Sequence, residues 1–206
     1  MEEVRQRLVD TGLPREEALS MAYSVGATKD VVQAYGSREA LNQELADYFQ
    51  ITRGAGAVSL KKLVVDDDRP YANPDDQKIN LGTFASIEER RGTIFHEGAH
   101  HAEAANDFTR QAMIGWVQWR ADSQQQQSLN SILGKRLYDE EETAYKDTWV
   151  NPYVGKTYRD EDGNDYFTEA LSVGTEHLID GKNMAKLYNK DPNHFWLTIG
   201  AYRDDD

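Results

Sequence analysis

The chain has 206 residues and no cysteine, which excludes a disulfide framework and any cysteine-based zinc knuckle. Hydrophobic residues make up 39% and aromatics 10%, enough for a core, so general disorder is excluded. The net charge of -13 argues against a phosphate-binding surface, and no nucleic-acid partner is expected.

The first ten residues, MEEVRQRLVD, are charged and lack the apolar stretch of an ordinary secretory signal. No segment approaches the length of a membrane span. The default expectation is residence in the cytoplasm of the producing cell, with no membrane association. A signal-independent export route would leave no trace in the sequence, so a phage-associated or injected setting stays open.

Residues 1–49 read as helical. Pro14 opens a segment after Thr11-Gly12, Gly26 closes it, and Ser37 caps a further run ending near Phe49. This region carries no chemical motif and suits packing or the docking of a protein partner. Arg53-Gly54-Ala55-Gly56 reads as a hinge, dividing an N-terminal helical region (1–52) from the domain that carries the chemistry (53–206). Leu60 to Val65 reads as a strand, and Asp66-Asp67-Asp68 as a solvated loop. Ile79-Asn80-Leu81-Gly82 is a second short strand, either ordinary core or a rail for an extended peptide added as a strand.

A helix over about 87–105 follows. Ser86-Ile87-Glu88-Glu89 fits a capping box, and Ile87, Ile94, Phe95, Ala99 and Ala102 repeat at helical spacing. Within it stands I-F-H-E-G-A-H-H-A-E, which holds three of the chain's five histidines. His96 and His100 are four apart, so they project from one helical face with Glu97 beside them. This is the H-E-x-x-H arrangement, in which two histidines hold zinc and the glutamate works on an activated water. Gly98 costs the helix about 1 kcal/mol relative to alanine, which points to close packing near the metal.

A helical stretch with Trp116, Trp119 and Arg120 comes next, its aromatic stripe expected in the core, and Gln124 to Gln127 reads as an exposed helix end or loop. Asp160 to Asp165 resembles a calcium loop only superficially, because the glycine is misplaced and Leu171 holds the twelfth position. A hairpin turn between Thr157-Tyr158-Arg159 and Tyr166-Phe167 is expected instead. Thr168 then stands near the start of a helix whose apolar face is Leu171, Val173 and Leu178.

Catalytic zinc takes three protein ligands and leaves one position open. Glu103 shares the helical face of His96 but lies roughly 10 Å along the axis, and His101 points about 100° away from His100. A metzincin third histidine is excluded, since its glycine position is Glu103 and its histidine position Asn106. Two distant residues remain, His177 and Glu169.

The segments G-T-I-F-H-E-G-A-H-H and T-E-A-L-S-V-G-T-E-H-L together resemble gluzincin-type zinc metallopeptidases. With I-N-L-G, N-P-Y-V-G-K-T-Y and D-P-N-H-F-W-L in that order, residues 60–200 look like compact zincin-like domains of phage-borne and toxin-like proteins. The resemblance implies an α+β fold, mostly helical, with a small sheet beside the H-E-x-x-H helix. It makes Glu169 the third ligand and implies a peptide or protein substrate. It also implies a tyrosine shortly before Glu169 as oxyanion donor; Tyr158 is chosen over Tyr153 and Tyr166. The chain departs from the thermolysin pattern, because Val173 stands where an aspartate follows the ligand glutamate by four, leaving the partner of His96 unidentified. The expected function is a zinc-dependent metallopeptidase with His96, His100 and Glu169 on Zn2+ and Glu97 as general base. The alternative is a non-catalytic zinc-stabilised structural protein, such as a virion component.

Overall fold

Proline and serine set the first helices where their backbone chemistry demands. The computed structural model describes residues 1–66, 69–83, 87–122, 124–136 and 138–203, with the side chains of 87 and 88 left aside. Helix α1 (Glu2–Asp10) stops before Gly12, and Pro14 is the N-cap of α2 (Arg15–Ser24). Gly26 does more than end that helix, since it opens strand β1 (Gly26–Ala27), which leads into α3 (Lys29–Ala34). Ser37 caps α4 (Arg38–Ile51) by accepting the Ala40 N–H at 3.0 Å.

Strands β2 (Lys62–Val64), β3 (Tyr71–Asn73) and β4 (Lys78–Asn80) join β1 in one sheet of order β1-β2-β4-β3. β2 runs parallel to both β1 and β4, and β3 is antiparallel to β4. The expectation that Ile79–Gly82 could receive a peptide as an added strand is corrected here. β4 has neighbours on both sides, so its ladder groups are already paired, and the edge strands of the sheet are β1 and β3.

The expected central helix is α5 (Ile87–Ala105). Its proposed N-cap, Ser86, lies outside the described residues, as do two aspartates of the Asp66–Asp68 run. α6 (Asp107–Ala121) follows after Asn106, whose side chain caps it. Trp116 packs on Trp149 and His194, but Trp119 is 71% exposed and does not belong to the core. Beyond β5 (Gln127–Ser128), α7 (Leu129–Leu133) and β6 (Thr143–Ala144), the hairpin of β7 (Thr157–Arg159) and β8 (Asp165–Thr168) turns at Gly163, where φ is 83°. α8 (Ala170–Glu176), α9 (Gly181–Lys190) and α10 (Pro192–Gly200) complete the order. The result is an α+β fold of many helices and small sheets. Among the described residues no helix is long and apolar enough to cross a membrane.

One apolar cluster runs through the chain on both sides of residue 52. Leu41, Leu45 and Phe49 of α4 share it with Ile94 and Phe95 of α5, Leu171 of α8 and Phe195 of α10. The Arg53–Gly56 segment lies close against α5. Gly56 has φ 78°, and a Cβ there would lie 2.7 Å from the Ala102 backbone nitrogen.

Gly98 makes room for the ring of Tyr48 on α4. A Cβ on Gly98 would meet the Tyr48 ring at 2.7 Å, and Tyr48 is buried and edge-on to Phe95. The N-terminal helices therefore press directly on the back of α5. Gly98→Ala gains about 1 kcal/mol of helix propensity but overpacks a filled interface, a cost of about 1–3 kcal/mol. Net destabilisation is expected, read as a lower urea midpoint with an unchanged slope.

Candidate metal centre

α5 presents His96 and His100 one turn apart, with ring centroids separated by 5.4 Å. His96, Glu97 and His100 offer donor atoms within 4.8 Å of one another. A fourth group arrives from the far end of the β7–β8 hairpin. Glu169, the residue before α8, places Oε2 at 3.2 Å from Nε2 of His96 and at 3.2 Å from Nε2 of His100. The same oxygen accepts the Ser172 hydroxyl at 2.7 Å, and Oε1 accepts the Tyr158 hydroxyl at 2.5 Å. His96 turns its other nitrogen, Nδ1, to Glu176 Oε2 at 3.3 Å. Glu176 is the partner of His96 that sequence reasoning did not find. Its signal is a spacing of seven from Glu169, two helical turns on one face.

No family model, curated protein or solved structure matches this chain. Its chemistry must be read from the site itself.

The remaining candidates are occupied elsewhere. His101 is buried and donates from Nε2 to the Lys78 carbonyl at 3.1 Å, while Nδ1 faces the Ser59 hydroxyl at 3.1 Å, so it ties α5 to the sheet. His177 gives Nδ1 to the Val173 carbonyl at 2.8 Å. Glu103 turns away to the end of β8, where Oε1 accepts the Thr168 N–H at 3.3 Å. Tyr166 is half exposed and packs edge-on against Phe167, whereas Tyr153 stacks on Tyr138 and lies 6.3 Å from the His96 ring.

Electrostatics follow from that crowding. Burial alone would raise the Glu169 carboxyl, but the charge and hydrogen bonds of His100 and His96 hold it well below the usual range. Burial would likewise depress His96, yet its bonds to Glu169 and Glu176 push it well above an ordinary imidazole. His100 is raised by Glu169 in the same way. The carboxylate and the two imidazoles thus favour each other's charged forms, and a metal bound by the rings would compete with protons for them. Glu97 is buried and its carboxyl raised by desolvation, with the two imidazoles opposing and the Ala72 backbone as its hydrogen-bond partner.

Two clefts adjoin the cluster. One, of 630 Å³, is lined by His96, Glu97, Thr93, Tyr153 and Glu176. The other, of 480 Å³, is lined by His100, Tyr71, Ala72, Tyr158 and Phe167. Arg69 borders both.

Glu103 supplies a pH test of this interior. Its Oε2 has no hydrogen-bond partner, and burial pushes the carboxyl up to about 8. The folded chain thus binds one proton more than the unfolded chain between the ordinary glutamate range and pH 8, so stability must fall as pH rises through that window. Glu103→Gln removes the penalty. Urea midpoints of metal-free protein at pH 5 and pH 8 should drop less in the variant than in wild type, by the equivalent of a few kcal/mol at most.

Proposed function

We propose that the protein is a zinc-dependent metallopeptidase, with His96, His100 and Glu169 as ligands and Glu97 as general base. The observation that carries this reading is the convergence of one buried carboxylate oxygen on both imidazoles of the H-E-x-x-H helix. Two nitrogens and one oxygen suit zinc, and tetrahedral bonds of about 2.0–2.1 Å would set neighbouring donors roughly 3.3 Å apart. The observed separations of 3.2 Å agree with that spacing. Two carboxylates compete for the third position, Glu97 and Glu169. Glu169 is favoured because Tyr158 and Ser172 fix it against both rings, while Glu97 faces the 630 Å³ cleft.

Zinc, when bound, polarises a carbonyl and makes a water more acidic. The rest is work for the chain's own groups. Glu97, with its proton affinity raised by burial, takes a proton from the attacking water and passes it to the leaving amine. Glu176 holds His96 by Nδ1, which fixes the ring and leaves Nε2 facing Glu169 and the cluster. The β3 edge, whose Ala72 backbone meets Glu97, lines the way for an extended peptide, which would span both clefts beside Arg69.

The purified chain should hold about one zinc and lose peptidase activity to a chelator. Glu97→Gln should keep the metal and lower kcat by 10²-fold or more, because an amide cannot accept the water's proton. A variant that cleaves at the wild-type rate would remove Glu97 from the role. A zinc-loaded wild type inert across a broad peptide library would favour the structural alternative.

Zinc affinity resolves the ligands. Glu169→Ala should abolish tight binding, and Glu176→Gln should weaken it by about 10–100-fold through His96. His177→Ala should leave it nearly unchanged, since that ring bonds a carbonyl of its own helix. Competition with a chromophoric chelator separates these outcomes.

A further inference from the structure

Lys156 is buried, 4% exposed, in extended backbone just before β7, where it bridges to Ala144. A buried ammonium is costly unless it is paired and fully hydrogen-bonded. Its Nζ donates to Glu142 Oε1 at 2.6 Å and to the Tyr153 hydroxyl oxygen at 3.2 Å. It also stands over two aromatic faces, Tyr158 at 4.6 Å and Tyr153 at 4.9 Å from the ring centroids. Glu142 is shared with Arg69, whose guanidinium bonds it at 2.8 Å and borders both clefts. The Lys156 carbonyl accepts the Glu169 N–H at 3.1 Å, so the lysine is tied to the residue that faces both imidazoles. A hydrophobic side chain would fill this space without the cost of burying charge, so the ammonium calls for a polar explanation.

Hydrogen-bond direction supplies one. An ammonium only donates, so the Tyr153 oxygen is the acceptor and the Tyr153 proton must point elsewhere. Tyr158 has one hydroxyl proton and spends it on Glu169 Oε1 at 2.5 Å. The Tyr158 proton is therefore committed to Glu169, while Tyr153 accepts from Lys156 and keeps its own proton to give. Only Tyr153 has a proton that can be redirected without releasing Glu169, and Tyr153 lines the cleft that contains His96 and Glu97.

The geometry points to Tyr153, not Tyr158, as the hydrogen-bond donor to the substrate oxygen that gains charge, with Lys156 as its positioning residue. The inference rests on the peptidase reading above. As charge develops on the scissile carbonyl oxygen, the Tyr153 O–H donates to that oxygen. The Lys156 ammonium continues to donate to the Tyr153 oxygen, which polarises the O–H and strengthens its bond to the substrate. No proton is transferred in this step. Tyr158 keeps its bond to Glu169 throughout, so its work is to hold the carboxylate.

The test uses the full-length chain with Tyr153→Phe, Tyr158→Phe, Lys156→Met, Lys156→Arg and the double variant Tyr153→Phe/Lys156→Met. Zinc affinity is read by chelator competition, and kcat and KM are read at saturating zinc on a peptide chosen from a library digest. Tyr153→Phe should lower kcat by about 10²-fold with KM little changed, as loss of an oxyanion donor does. Its zinc affinity should equal that of wild type. Tyr158→Phe should show the reverse, with zinc affinity down by about 10-fold or more and the smaller loss in kcat. Lys156→Met should lower kcat without touching zinc affinity, add nothing further to Tyr153→Phe, and recover in part as Lys156→Arg. Wild-type kcat in Tyr153→Phe, or independent multiplication of the two losses, overturns the assignment. Should Lys156→Met fail to fold, the contrast between the two Tyr→Phe variants decides alone. A wild type that cleaves no peptide overturns the peptidase reading and this inference with it; an active wild type with an active Tyr153→Phe overturns this inference only.

Discussion

A carboxylate with 1% of its surface exposed must have its charge met on every side, and Glu169 is that carboxylate. Two imidazoles, a serine and a tyrosine converge on it, and each comes from a position the fold has to fix. The histidines need α5 straight and unbroken. Ser172 needs α8 to begin immediately after Glu169, and Tyr158 needs the β7–β8 register that sets it opposite Phe167. Remove any of these supports and a buried charge loses a partner, at a cost of order several kcal/mol. The centre and the fold are therefore one problem.

The supports lie in layers behind the charge. α5 packs against α8 on the ligand side and against α4 on the other, where Gly98 accepts the Tyr48 ring. His101 locks the same helix to the sheet through Lys78 and Ser59. α8 is steadied in turn by His194 of α10, which donates Nε2 to the Ala170 carbonyl at 2.6 Å. A helix held on three sides keeps the two rings at a fixed separation, which is the preorganisation that the proposed zinc site would need. The N-terminal helices thereby contribute to the geometry of a centre to which they supply no ligand.

Local signals in the sequence were strong where structure depends on neighbours in the chain. The extent of α5, the caps at Pro14 and Ser37, and the Asp-Gly turn of the hairpin all follow from residues within a few positions. Glu169 was reachable because a second motif-like segment stood downstream, although spacing alone left it level with His177. What was illegible depends on contacts distant in sequence. Glu176 reaches His96 across 80 positions, and its spacing of seven from Glu169 places it on that residue's helical face without naming His96 as its partner. The Arg69–Glu142–Lys156 chain is likewise assembled from separate loops. Strand order is a tertiary property too, which is why β4 came to lie inside the sheet and β3 at an edge. Trp119 shows the same limit, since helical periodicity gives a face but not what covers it.

The most direct test is an anomalous-difference map from crystals of the zinc-loaded protein, collected on both sides of the zinc absorption edge. A single peak is expected at bonding distance from Nε2 of His96, Nε2 of His100 and one carboxylate oxygen of Glu169, with no fourth side chain on the ion. Zinc bound by Glu97 in place of Glu169, closed off by a fourth protein ligand, or found away from α5 would contradict it.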